Sequence, residues 1–185
     1  LIVLSPHLGA WEMAGLFLST RGPTTTLYKP QPLADELVRQ ARGRAGAHLV
    51  PTDQTGIRHL LQGLRRGEFL GILPDQEPKE DKGCVFAPFF GVPALTMLLV
   101  NRLARRTGAA VVFLFARRLP WGRGFALHCL PAPPGVDSAD EVEAAAALNQ
   151  GVEACVALCP EQYVWSYKRF RTRPGGGPHP YHGPL

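Results

Sequence analysis

Long apolar runs are missing from this 185-residue chain. No stretch approaches the ~20 consecutive apolar residues of a membrane-spanning helix. Cysteine is sparse: Cys84, Cys129, Cys155 and Cys159 are the four. None has the paired two-residue spacing of a zinc site, and a chain this long is not a small disulfide framework. Cys155 and Cys159, four apart on an expected helix, share a face and read as core thiols in a reducing compartment. No internal repeat, metal cluster or leader is visible. The chain opens inside an apolar run without Met or leader, so a further N-terminal part is expected before residue 1. What is abundant is apolar residue, 45% of the chain, with 20 Gly and 18 Pro, enough for one domain with a sizeable core. The formal net charge of +5 favours an anionic partner: a phospholipid surface, a phosphorylated ligand or an acidic protein.

Strand and helix signals alternate. Apolar runs at 1–4, 69–73 and 109–116 read as buried strands, with shorter strands at 24–28, 48–50 and 125–130. Helical spacing is read over 11–20, 33–45, from Thr55 to about 66, over 93–107 with Pro93 as first residue, and from a Ser138/Glu141 capping box to about 158. This order implies an α/β fold, a mostly parallel sheet flanked by helices in one domain over 1–174. The Gly- and Pro-rich residues 175–185 read as a disordered tail.

Chemistry concentrates where strands end, because open α/β sheets place ligands at the carboxyl ends of their strands. His7 follows the first strand, after Ser5-Pro6. A turn at Leu8-Gly9 lets Glu12 reach back to the imidazole, fixing its tautomer and raising the basicity of the other nitrogen. Such a base takes a proton from a hydroxyl attacking an acyl carbonyl. The same spacing recurs in His48…Asp53, where Asp53 reads as a turn or cap residue. Asp75 ends another strand and reads either as a site residue or as a turn residue. Arg42 and Arg44 either reach the cleft, for an oxyanion or a phosphate, or simply terminate a helix. Trp165, Tyr167 and Phe170 interleave with Lys168, Arg169, Arg171 and Arg173. That segment reads as a membrane or phosphate contact, or as packing with arginines outward. The alternation is too short to favour nucleic acid.

In order along the chain come His-Leu-Gly-Ala-Trp-Glu at 7–12, Leu-Tyr-Lys-Pro at 27–30, Arg42-Gly43-Arg44 and Leu-Pro-Asp-Gln at 73–76. Phe-Ala-Pro-Phe-Phe-Gly-Val-Pro-Ala at 86–94, Thr-Gly-Ala-Ala-Val-Val at 107–112, Pro-Glu-Gln-Tyr-Val-Trp at 160–165 and Lys-Arg-Phe-Arg-Thr-Arg-Pro at 168–174 follow. Together these resemble the bacterial lipid A biosynthesis lauroyl/myristoyl acyltransferase family. The resemblance implies a glycerophosphate-acyltransferase-like α/β layer with His7 and Glu12 as catalytic pair, and no cofactor. It implies transfer of a fatty acyl chain from acyl carrier protein to a glycolipid hydroxyl, at the cytoplasmic face of the inner membrane. Substrate contacts are expected from Lys29, Arg42, Arg44 and Asp75. Lys29 stands where the family commonly has arginine, keeping the charge but losing the bidentate fork. Two further readings stay open. One is acylation of another lipid, a phosphatidylinositol mannoside or glycerophosphate, although Leu-Pro-Asp-Gln departs from the Glu-Gly-Thr-Arg type of glycerophosphate enzymes. The other is a non-catalytic lipid-binding module.

Overall fold

The computed structural model describes residues 1–28, 43, 46–78, 82–178 and 180–181. Six strands form one sheet: β1 (Ile2–Leu4), β2 (Thr24–Tyr28), β3 (His48–Pro51), β4 (Phe69–Ile72), β7 (Val111–Arg118) and β8 (Phe125–Pro131). Their order across the sheet is β3-β2-β4-β1-β7-β8. All neighbours are parallel except the β7–β8 hairpin at one edge. β1 lies in the middle, and Ile2, Val3 and Leu4 are buried on both faces, as their unbroken apolar run requires. Val3, Val112 and Leu114 face α1 (Trp11–Ser19), packing on Ala14 and Leu18. Ile2, Leu4, Phe113 and Phe115 turn to the opposite face. There they meet Leu60 of α2 (Gln54–Arg65), Leu103 of α3 (Leu99–Thr107) and Leu148 and Val152 of α4 (Glu141–Leu158). The α/β layer read from the sequence is therefore the observed one.

One stretch differs. Residues 93–97, expected as the start of a helix, belong instead to a separate hairpin of β5 (Cys84–Phe89) and β6 (Val92–Met97). Phe90 and Gly91, with φ of 47° and 75°, form its tip, and Phe89 pairs with Val92. Two consecutive positive φ values give a turn whose twist matches paired strands, and that outweighs the helical spacing of the leucines. Pro88 and Pro93 sit opposite each other, tolerated because a two-stranded ribbon has only edge strands. Asn149 of α4 ties this ribbon down through Nδ2 to the Pro88 carbonyl and Thr96 Oγ1, at 2.9 and 3.0 Å.

Asp53, read as a turn or cap residue, caps α2 by accepting from the Gly56 amide at 3.0 Å. Asp140 rather than Ser138 caps α4, accepting from the amides of Val142 and Glu143. Placed one residue before α4, the Asp140 carboxylate satisfies two end donors at once, so it wins that position. Cys155 and Cys159 are fully buried, as core thiols should be. Among the described residues no helix is long and apolar enough to cross a membrane.

Candidate active site

β1 and β4 are adjacent and parallel, so their exits leave the sheet side by side. Ser5 still bonds the Ile72 carbonyl at 2.9 Å, and beyond it the two chains part. His7 rises from one exit and Asp75 from the other. The Asp75 carboxylate accepts twice from the same residue: the His7 backbone N–H at 2.9 Å, and ring Nδ1 at 2.7 Å. Asp75 is 3% exposed, so these bonds operate away from bulk water. The pairing assigns the ring proton to Nδ1 and leaves the Nε2 lone pair outward. Gln76 Nε2 stands 3.2 Å from that nitrogen, on the exposed side. The Trp11 ring flanks the imidazole at 5.3 Å between centroids.

The carboxylate on Nδ1 is thus that of Asp75, not that of Glu12, which corrects the pairing expected from sequence. The reason is topological. A register between neighbouring parallel strands delivers Asp75 to His7 across the sheet, whereas Glu12 starts α1 and borders a cavity. That cavity, about 60 Å³, lies between α1 and the sheet and is lined among others by Ser5, Trp11, Glu12, Gly15, Thr26 and Leu73. Lys29, Arg42 and Arg44 lie outside the described residues. His48 is exposed on β3, away from His7, and Asp53 is the cap already described.

The C-terminal segment holds the site from behind. Val164 N–H donates to the His7 carbonyl at 3.1 Å, and Gly9 N–H to the Gln162 carbonyl at 3.0 Å. Gly9 has φ +59°, and a Cβ there would stand 2.3 Å from the Ala116 carbonyl oxygen, so only glycine turns the chain between β1 and α1. Since Gly9 and Ala10 N–H are spent on Gln162 and Ala116, these amides are not free for an oxyanion. Tyr163 is packed against Asp75. Burial first, then the Asp75 charge and a hydrogen bond to it, push the Tyr163 hydroxyl well above its ordinary value, so it stays protonated. Glu77, also buried, donates its N–H to Tyr167 Oη at 2.9 Å, accepts from Thr172 N–H at 2.8 Å, and pairs with Arg171 at 3.3 Å. Arg169 turns inward, 4% exposed, and bonds the Leu95 carbonyl at 2.7 Å and Thr96 Oγ1 at 3.0 Å. Much of the basic, aromatic stretch is therefore a clamp on the 74–78 loop and the β5–β6 ribbon, with Arg169 inward rather than outward.

Gln76, Glu77, Tyr163 and Arg169 were not singled out by sequence reasoning as site-building residues. The available signal was the unusual density of carboxylates directly after a buried strand, since charge beside a core needs partners. Among the described residues no three His, Cys, Asp or Glu side chains converge to hold a metal.

The description "bacterial lipid A biosynthesis acyltransferase" belongs to a family model that matches residues 1–172. The chain is 33% identical over 186 residues to the lipid A biosynthesis lauroyltransferase of Escherichia coli (strain K12), covering 98% of this chain and 59% of that protein. It is 34% identical over 179 residues to a lipid A biosynthesis acyltransferase of Haemophilus influenzae, covering 95% and 55%. The lipid A biosynthesis palmitoleoyltransferase of Escherichia coli (strain K12) is 32% identical over 178 residues, 95% of this chain and 57% of that protein. The chain thus spans a little over half the length of these curated relatives. With a histidine held by a buried carboxylate where two parallel strands exit, and a family match along nearly its whole length, this chain belongs to the bacterial lipid A biosynthesis acyltransferase family.

Proposed function

We propose that His7 is the general base of an acyl transfer from a fatty thioester to a hydroxyl of a lipid A precursor. The observation that carries this reading is the Nδ1 contact with Asp75 at 2.7 Å, which leaves Nε2 as the acceptor. An acceptor hydroxyl placed where Gln76 now stands gives its proton to Nε2 as its oxygen attacks the thioester carbonyl. The tetrahedral oxyanion then collapses, the carbon–sulfur bond breaks, and the leaving thiolate takes the proton from Nε2. Ester and free thiol result, and the imidazole returns to its starting form. Asp75 stabilises the imidazolium throughout and holds its ring plane. Gln76, in this scheme, swings from Nε2 when the acceptor enters and offers its amide to the oxyanion or the sugar.

Glu12 borders the cleft from α1, and we assign it to the acceptor rather than to the ring. Lys29, Arg42 and Arg44 are assigned to acidic groups of the substrates, phosphate above all. Acyl carrier protein as donor is supported by charge, an acidic carrier meeting a chain of net charge +5. The inner membrane's cytoplasmic face is where such a thioester and such a lipid would meet. The test is mass spectrometry of lipid A from cells making the whole protein, wild type against His7→Ala. Loss of one acyl chain from the variant's lipid A is expected. An unchanged acylation pattern overturns the assignment.

A further inference from the structure

Two residues other than glycine have positive φ among the described residues, and both are aromatic residues at hairpin tips: Phe90 and Trp121. Trp121 has φ 61° and is 93% exposed. Left-handed backbone is disfavoured for a residue other than glycine, because its Cβ crowds the neighbouring carbonyl oxygen. A large aromatic held there, in water, needs a reason outside its own fold.

The position supplies one. β7 runs parallel to β1 and continues past the level at which β1 ends, with Ala116 bridging Gly9. The β7–β8 tip, closed by Leu119 N–H on the Gly124 carbonyl at 2.9 Å, therefore projects from the same edge of the sheet that carries His7. Behind Trp121, Phe125 and Leu127 are exposed on β8 and continue into a groove of about 610 Å³ against Met13 and Phe17 of α1. Cations border this apolar strip. Arg118 lies over the Phe125 ring at 5.7 Å and Arg21 over Phe17 at 4.9 Å, while Arg123 is exposed beside the tip. Arg117 is matched by Glu161 at 3.9 Å, and among the described residues no carboxylate pairs with the other three. The second tip meets the same edge. Phe90 packs on Trp165 at 5.8 Å, one residue beyond the amide that bonds His7.

We propose that the β7–β8 tip, with Trp121 as its wedge and Arg118 and Arg123 beside it, seats the carboxyl edge of the sheet on an anionic phospholipid bilayer. Aromatic residues settle at the headgroup level, and each arginine near such a surface adds roughly a fivefold preference for anionic lipid. The seat sets the mouth beside His7 against the layer in which a lipid acceptor resides. This deepens the proposed function, but the binding itself requires no acyl transfer.

Three tryptophans, Trp11, Trp121 and Trp165, report separately through substitution. The whole protein is bound to phosphatidylglycerol/phosphatidylcholine vesicles containing brominated lipid, without substrate. Wild type should be quenched, and Trp121→Phe, which keeps the wedge but removes the fluorophore, should lose about half or more of that quenching. Trp121→Asn, which accepts the left-handed backbone, should lower acyl transfer to vesicle-borne acceptor by roughly tenfold and leave transfer in detergent micelles unchanged. Equal quenching of wild type and Trp121→Phe overturns the membrane seat, as does shielding of Trp121 that depends on protein concentration and not on lipid, which indicates a second copy. Lipid quenching of Trp121 with no acyl transfer in any medium supports the seat and refutes the enzyme.

Discussion

Replacing Asp75 with asparagine exchanges one oxygen for an NH2 group, at a position where both oxygens are in use. One accepts from the His7 backbone N–H at 2.9 Å and the other from Nδ1 at 2.7 Å. The asparagine carbonyl satisfies only one of them. If it keeps the backbone bond, its NH2 faces Nδ1, and the ring answers by moving its proton to Nε2. The nitrogen that should receive the acceptor's proton then already carries one. Losing a general base typically costs ~10²–10⁴ in rate, which is about 3–5 kcal/mol on the barrier. The fold should survive, because the backbone bond remains and a buried charge is removed. Purified wild type and Asp75→Asn are compared for kcat and KM in thioester consumption with a lipid A precursor as acceptor, alongside Glu12→Gln. We expect kcat to fall by ~10³ for Asp75→Asn with KM little changed, and by less than about tenfold for Glu12→Gln. A loss for Glu12→Gln equal to that of Asp75→Asn, or an Asp75→Asn enzyme within about threefold of wild type, refutes the assignment of Asp75 as the ring's partner.

Gly151→Ala tests the seat of α4, since a Cβ there would lie 2.1 Å from Phe113 Cε2 of β7; we expect a loss of roughly 1–3 kcal/mol in urea unfolding, without change of slope. Alkaline pH should destabilise the protein. Burial pushes the Cys155 thiol up from 9.0 to about 12, and Tyr163 is raised from 10.0 by burial and Asp75. The unfolded chain releases these protons from pH 9 upward while the folded chain keeps them, so stability present below pH 9 is lost as pH rises towards 12. Cys155 alone accounts for about 2 kcal/mol between pH 9 and 10.5. Cys155→Ala should flatten that part of the pH dependence in urea midpoints.

Much was legible from residues alone. Unbroken apolar runs at Ile2–Leu4 and Val111–Phe115 announce strands covered on both faces, because alternation disappears when no face meets water. His7 could be singled out because a strand, a proline and a glycine turn fall consecutively around it, and these are local constraints. The helix expected from Pro93 failed for a local reason of another kind: Phe90 and Gly91 both adopt positive φ, and pairing across that turn overrides leucine spacing.

His7's partner is not a local matter. Glu12 is five residues away in sequence and Asp75 is sixty-eight, yet the carboxylate on Nδ1 is the distant one. Adjacency of β1 and β4 decides it, and that adjacency follows from how helices cover a twisted sheet, which no short spacing encodes. Chain order alone thus specified the layers and the imidazole. Only the folded sheet chose which carboxylate reaches the ring, turned Arg169 inward onto the β5–β6 ribbon, and set Trp121 on the same edge.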